Sequence, residues 1–262
     1  MRKEIQCLLY LILAFSLIVL GACAGGSEGQ PSEPAATSDA PAGDVAQGPT
    51  GSASITGTIN YQGEVPELRP ISMDADPGCA AKHDSPVQPE ILVLGEGNTM
   101  ANVMVRVVGG LPDAKWAPPS EAAVIDQEGC RYIPHVLGVM AGQTVRILNS
   151  DGLLHNVHAL PERNAEFNMA MPATRTEAER VFDQVEDPFR IKCDVHPWMG
   201  AYVAVLAHPF FDVTEEDGQY QIANLPAGTY EVEAWHERLG TQRASVTVAD
   251  GETASADFTF SR

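Results

Sequence analysis

The chain has 262 residues, enough for one large domain or two small ones. Its 35 Asp and Glu outweigh 16 Lys and Arg, giving a formal net charge of −19. That excludes a reader of nucleic-acid phosphates, which needs a basic face. Gly (23 residues) and Pro (19) make turns frequent and long helices few.

The chain begins with Met1-Arg2-Lys3, an apolar run from Ile5 to Leu20, and small residues before Cys23. This is the pattern of a secretory signal. The run falls short of the ~20 apolar residues that span a bilayer. Leu20-Gly21-Ala22-Cys23 resembles a bacterial lipoprotein box. The resemblance implies that residues 1–22 are a removable signal and that Cys23 is lipidated. The chain would then be exported and anchored to a membrane, facing the periplasm or the cell exterior. Of the 29 residues from Ala24 to Ser52, 22 are Gly, Pro, Ala, Ser or Thr. Such a segment cannot bury enough apolar surface to offset its ordering entropy. Residues 23–52 are therefore read as the lipidated cysteine and a disordered tether.

From Ser54 onward the pattern is strands. Ser54 to Tyr61 alternates, and Asn102 to Val108 does so less cleanly. Gln143 to Leu148, Arg190 to Cys193 and Ala201 to Leu206 follow. Tyr220 to Ile222, Thr229 to Trp235, Ala244 to Val248 and Ala256 to Phe260 complete the set. Short apolar runs between Gly, Pro, Asn and Asp turns indicate an all-β sandwich or barrel. Thr174 to Phe182 is the one helical candidate.

Asp217-Gly218-Gln219-Tyr220-Gln221-Ile222, followed by Leu225-Pro226-Ala227-Gly228-Thr229-Tyr230, resembles the carboxypeptidase regulatory-like (prealbumin-like) β-sandwich. The match is too short for a full sandwich. Its missing first strands resemble Ile55–Tyr61 and Val103–Gly109. The resemblance implies a discontinuous module, 53–115 and 208–262, with a second domain, 116–207, between its parts; two domains in sequence is the alternative.

The chemistry is concentrated in Cys193-Asp194-Val195-His196-Pro197-Trp198-Met199, of the form C-x₂-H-x₂-M. Upstream stands Asn149-Ser150-Asp151-Gly152-Leu153-Leu154-His155-Asn156-Val157-His158. Two imidazoles, a thiolate and a weak axial thioether are the donor set of a blue-copper site. The two segments resemble cupredoxins, most closely the amicyanin-like ones, which implies a Greek-key β-sandwich holding one copper ion. Carried over residue by residue, the ligands are His155, Cys193, His196 and Met199. Asn149 would tie the two ligand loops together and support the thiolate. Where the family often has Pro two residues after the cysteine, this chain has Val195. Pro197 and Trp198 would form an apolar rim around an exposed His196 edge, where a partner docks. His158, three residues after His155 on a strand, points to the other face.

Of the five cysteines, the lipoprotein resemblance implies that Cys7 would leave with the signal and Cys23 would take lipid. With Cys193 on copper, Cys79 and Cys130 are left to form a disulfide. It closes a loop of about 52 residues, worth roughly 4 kcal/mol in the chain-entropy model. A metal site of Cys79, His83, Cys130 and His135 is the alternative.

The expected function is non-catalytic electron transfer with a redox protein, a cytochrome or an oxidoreductase. Acidic charge would steer a basic partner. Copper delivery or storage is the alternative, with Met169 and Met171 as extra thioethers. Enzymatic turnover is not expected, because the chain has no His-x-His pair for a catalytic copper centre.

Overall fold

The computed structural model describes residues 48–262. The signal, Cys23 and residues 24–47 lie outside the described residues. Residues 48–52, assigned to the tether by composition, are held in the fold. Gly48 N–H donates to Lys115 O at 2.6 Å, Gly51 N–H to Asn224 O at 2.9 Å, and Ser52 Oγ to Asp250 Oδ1 at 2.6 Å. Composition does not register such long-range partners.

The architecture is all-β. In chain order the strands are β1 (Ala53–Gln62), β2 (Met104–Gly109), β3 (Ala123–Glu128), β4 (Arg131–Ile133), β5 (Val136–Met140) and β6 (Thr144–Asn149). They continue with β7 (His155–Leu160), β8 (Phe167–Met171), β9 (Glu177–Val181), β10 (Glu186–Lys192) and β11 (Gly200–Leu206). The last six are β12 (Phe211–Val213), β13 (Gln219–Leu225), β14 (Gly228–His236), β15 (Gly240–Val248), β16 (Thr253–Ser255) and β17 (Phe258–Ser261). A four-residue helix, α1 (Pro77–Ala80), lies between β1 and β2.

The strands sort into four sheets. β1 pairs with β13, β16 and β17, and β2 lies between β12 and β14, with β15 outside β14. The first two strands thus pair with strands from the end of the chain. Their inward residues, among them Ile55, Ile59, Val105, Tyr230, Val232 and Phe260, form one core. The strands between pair among themselves, in the orders β4-β3-β6-β9 and β5-β11-β10-β7-β8. Ile125, Val145, Ile147, Val157, Ile191 and Val203 lie in the second core. Each such aliphatic contributes about 1.5–3 kcal/mol on burial. A small third cluster, Met104, Val136, Ala204 and Leu206, joins β2 to β5 and β11 and so couples the two modules.

Two expectations need correction here. Thr174 to Phe182 is not helical: Glu177–Val181 is β9, antiparallel to β6 from Thr144↔Val181 to Leu148↔Glu177. Glu, Ala and Arg favour helix in isolation. The open edge of β6 and the inward burial of Ala178 decide otherwise. The excursion after β1, placed with the first module, packs on the second. Met73 and Cys79 belong to the second core, and Ile71 and Val87 lie against it. Ile71 N–H donates to Val87 O at 2.8 Å, closing the base of this excursion.

Candidate metal centre

β10 and β11 form a hairpin whose last ladder pair is Lys192↔Gly200. Cys193 to Met199 are its connection, pinned at the base by that pair. Inside the loop Cys193 N–H donates to Met199 O at 3.2 Å, and Met199 N–H to His196 O at 2.9 Å. His196 N–H points at Cys193 Sγ, 3.4 Å away. The loop is thereby folded back on the sulfur.

β7 runs antiparallel beside β10, with His158 opposite Lys192. That register brings His155, the first residue of β7, to the loop end of the sheet. Asn156 joins the two segments: its Oδ1 accepts the N–H of Asp194 at 2.5 Å. The result is a convergence of three donors. His155 Nδ1 faces His196 Nδ1 at 2.9 Å, and Cys193 Sγ lies 3.9 Å from His196 Nδ1. The ligand-type atoms of His155, Cys193 and His196 all lie within 4.8 Å of one another. Met199 is buried in the same core cluster as Cys193.

Both imidazoles are held from behind by carboxylates. His155 Nε2 meets Asp151 Oδ2 at 2.8 Å, and His196 Nε2 meets Asp76 Oδ2 at 3.0 Å. Asp151 also accepts the N–H groups of Gly129 and Cys130, both at 2.8 Å, and pairs with Lys82 Nζ at 3.1 Å. Burial pushes the Asp151 carboxyl up, but these hydrogen bonds, led by that of His155, hold it down at about 2. His196 and the N–H groups of Cys79 and Gly78 hold Asp76 below the usual carboxylate range. Burial would lower His155; its bond to Asp151, with the Cys193 sulfur, outweighs that and holds it up at about 9. Burial would raise the Cys193 thiol; His155 and the main-chain N–H groups around the sulfur hold it below its ordinary value.

These contacts test whether a metal fits. With each Nε2 proton directed at a carboxylate, both Nδ1 lone pairs point at one another across 2.9 Å. Only a cation between them, a proton or a metal ion, reconciles that arrangement. A thiol biased toward thiolate beside them completes a soft, nitrogen-and-sulfur donor set.

The remaining residues singled out from the sequence fall as follows. Cys79 and Cys130 form a disulfide with Cα atoms 5.6 Å apart. The alternative metal site is thereby overturned: His83 Nε2 bonds Gly129 O at 2.8 Å and His135 Nε2 bonds Glu237 Oε1 at 2.7 Å. Asn149 is buried, but its amide donates to Leu153 O and Met171 O, both at 2.9 Å. It braces the turn before His155; Asn156, one residue past that histidine, makes the link to the cysteine loop. His196 is not an exposed edge but 2% exposed, with Cys79 Sγ 3.6 Å from its Nε2. The excursion after β1 covers it. Pro197 is exposed; Trp198 is half-buried, its ring 5.1 Å from that of His196 and its indole donating to Cys130 O at 3.2 Å. Trp198 thus joins the cover more than a rim. His158 bonds Asp194 and Glu166, away from the donor cluster. Met169 and Met171 are buried on β8. Asp76 and Asp151 were not recognised from the sequence; an aspartate just before a proline-started helix was the available sign for the first.

A family model, the carboxypeptidase regulatory-like domain, matches residues 196–261. A reduced Cu(I) form of an amicyanin variant is similar over 34% of this chain and 92% of that one, at 24% identity and a TM-score of 0.30. A purple cupredoxin from Nitrosopumilus maritimus is similar over 32% of this chain and 99% of that one, at 26% identity and a TM-score of 0.28. A copper-containing nitrite reductase from Thermus scotoductus is similar over 40% of this chain and 26% of that one, at 19% identity and a TM-score of 0.31. No curated protein matches the chain.

Proposed function

We propose that the chain is an electron carrier holding one copper ion through His155 Nδ1, His196 Nδ1 and the Cys193 thiolate, with the Met199 thioether as a weak fourth ligand. The observation that carries this reading is the opposed pair of Nδ1 atoms beside a thiol biased toward thiolate. Copper in such a donor set exchanges single electrons between Cu(I) and Cu(II) with little rearrangement. The chain's own part is to keep the donors in place and dry. His155 is fully buried and Cys193 and His196 nearly so. Asp151 and Asp76 hold the two imidazoles from the far side. The same enclosure disfavours copper delivery, which needs ligands that open to an acceptor. In this reading the chain turns over no substrate of its own. A lipid on Cys23 would hold it at a bacterial membrane on the exported side, and its acidic charge would steer a basic redox protein.

The test is to add one equivalent of Cu(II) to the purified chain and record its visible and EPR spectra. An intense thiolate-to-copper band, absent in Cys193→Ala, is expected. Colourless protein with ordinary tetragonal copper would overturn the reading. Exchange with a basic cytochrome should slow as salt rises; a rate independent of salt would remove the steering.

A further inference from the structure

The Cys79–Cys130 disulfide lies behind both imidazoles, and the same relay leaves each of its ends. Cys79 N–H donates to Asp76 Oδ1 at 3.2 Å, and Asp76 Oδ2 meets His196 Nε2. Cys130 N–H donates to Asp151 Oδ2, and that oxygen meets His155 Nε2. In each arm a half-cystine orients a carboxylate and the carboxylate orients a histidine. Sequence proximity does not explain it: Asp76 and His196 are 120 residues apart, and the bridged cysteines 51.

We propose, on the footing of the copper reading, that this disulfide with Asp76 and Asp151 is a clamp that positions both metal-ligating imidazoles. Each carboxylate takes the Nε2 proton of its histidine. That fixes the tautomer and leaves Nδ1 free to face the ion. The two arms differ in what else holds them. Asp151 follows β6 and is further bound by Gly129 and Lys82. Asp76 caps the four-residue helix α1, on an excursion whose covalent tie to the second module is the bridge itself. The disulfide therefore matters most for His196.

The test uses Asp76→Ala, Asp76→Asn and a paired Cys79→Ser, Cys130→Ser variant. Two readouts are taken: imidazole nitrogen NMR of the metal-free chain, and the copper hyperfine splitting and affinity after loading. Wild type should show both histidines protonated at Nε2. Asp76→Ala should lose that preference at His196 and keep it at His155. It should bind copper ~10–100-fold more weakly, the range for partners behind metal ligands, and broaden the hyperfine splitting. Asp76→Asn keeps an acceptor oxygen and should restore the tautomer. The paired serine variant should follow Asp76→Ala at His196. A His196 tautomer unchanged in Asp76→Ala would overturn the clamp. If the paired variant does not fold, Asp76→Ala, with its bridge intact, decides alone. A wild type without a thiolate-to-copper band would remove the copper reading, and the metal-free tautomers would then judge the clamp.

Discussion

Glu233→Gln is expected to destabilise the chain by about 3–4 kcal/mol. The Glu233 side chain is 3% exposed. Its Oε1 accepts Arg106 Nε at 3.0 Å and Nη2 at 2.7 Å, and its Oε2 accepts Arg243 Nε at 2.9 Å and Nη2 at 2.8 Å. The ladder aligns this row, for Glu233 stands opposite Arg106 on β2 and Arg243 on β15. Glutamine keeps one acceptor oxygen and turns an amide N–H₂ toward the other guanidinium. Both bonds of that arm are lost, and both cations lose the buried carboxylate they share, keeping only the more exposed Asp187 beside Arg106 and Glu231 beside Arg243. Removing one partner of a buried pair costs about 3–5 kcal/mol. Arg243 is 56% exposed and regains hydration, which keeps the loss in the lower part of that range. Asp187, 82% exposed and 2.5 Å from Arg106 Nη2, is the internal control. Its replacement by Asn should cost less than ~1 kcal/mol, as exposed pairs do. Urea unfolding of the chain and both variants measures this. A loss below about 1 kcal/mol for Glu233→Gln, or an equal loss for Asp187→Asn, would refute the reasoning.

His236 is 1% exposed, and burial pushes its pKa down to about 4. Below about pH 6.5 the unfolded chain takes up a proton that the folded chain refuses, so stability is intact above that pH and falls toward pH 4, by up to ~3 kcal/mol. Urea unfolding at pH 7 and pH 4.5 should show a smaller drop in His236→Gln than in wild type; equal drops would exclude this source. A Cβ at Gly57 would stand 2.0 Å from the carbonyl oxygen of Ala256, a backbone atom that cannot rotate away. Gly57→Ala should therefore cost at least ~2 kcal/mol and lower the melting temperature, whereas an unchanged melt would show that the two segments part easily. Trp198→Phe keeps an aromatic ring beside His196 but loses the donor to Cys130 O. About 1 kcal/mol of stability should go while the thiolate-to-copper band stays; loss of the band would give Trp198 a closer part in the centre.

Local pattern made the candidate loop legible, because Cys193, His196 and Met199 fall within seven residues of one hairpin connection, and the fold brings Cys193 and His196 to His155. Strands with clean alternation, such as β1 and β14, were legible for the same reason: one face is buried along their length. β9 was not, because its residues have helical preferences and only the neighbouring edge of β6 reveals the strand. The carboxylates behind the histidines were hidden for a different reason. Asp76 caps a helix too short to show any periodicity, and its contact with His196 spans the length of a domain in sequence. Asn149 was marked by its spacing from His155, yet spacing alone does not distinguish bracing a turn from linking two loops.

The covered His196 edge changes how a partner would meet the centre in the electron-carrier reading. An imidazole open to solvent would let a partner approach within a ring's width of the ion. Here the His196 Nε2 hydrogen bond ends on Asp76, whose side chain is 34% exposed. That carboxylate is where the hydrogen-bonded path from His196 reaches the surface, and its bonds to His196 and to the main-chain N–H groups of Cys79 and Gly78 hold it below the usual carboxylate range. A partner docking there meets a negative charge first. With a formal net charge of −19 over the chain, local and global fields agree in selecting a cationic face. In that reading the excursion between β1 and β2 would do two things at once. It would fix the proton on the far nitrogen of His196, and it would offer a partner an acidic contact in place of an apolar ring edge.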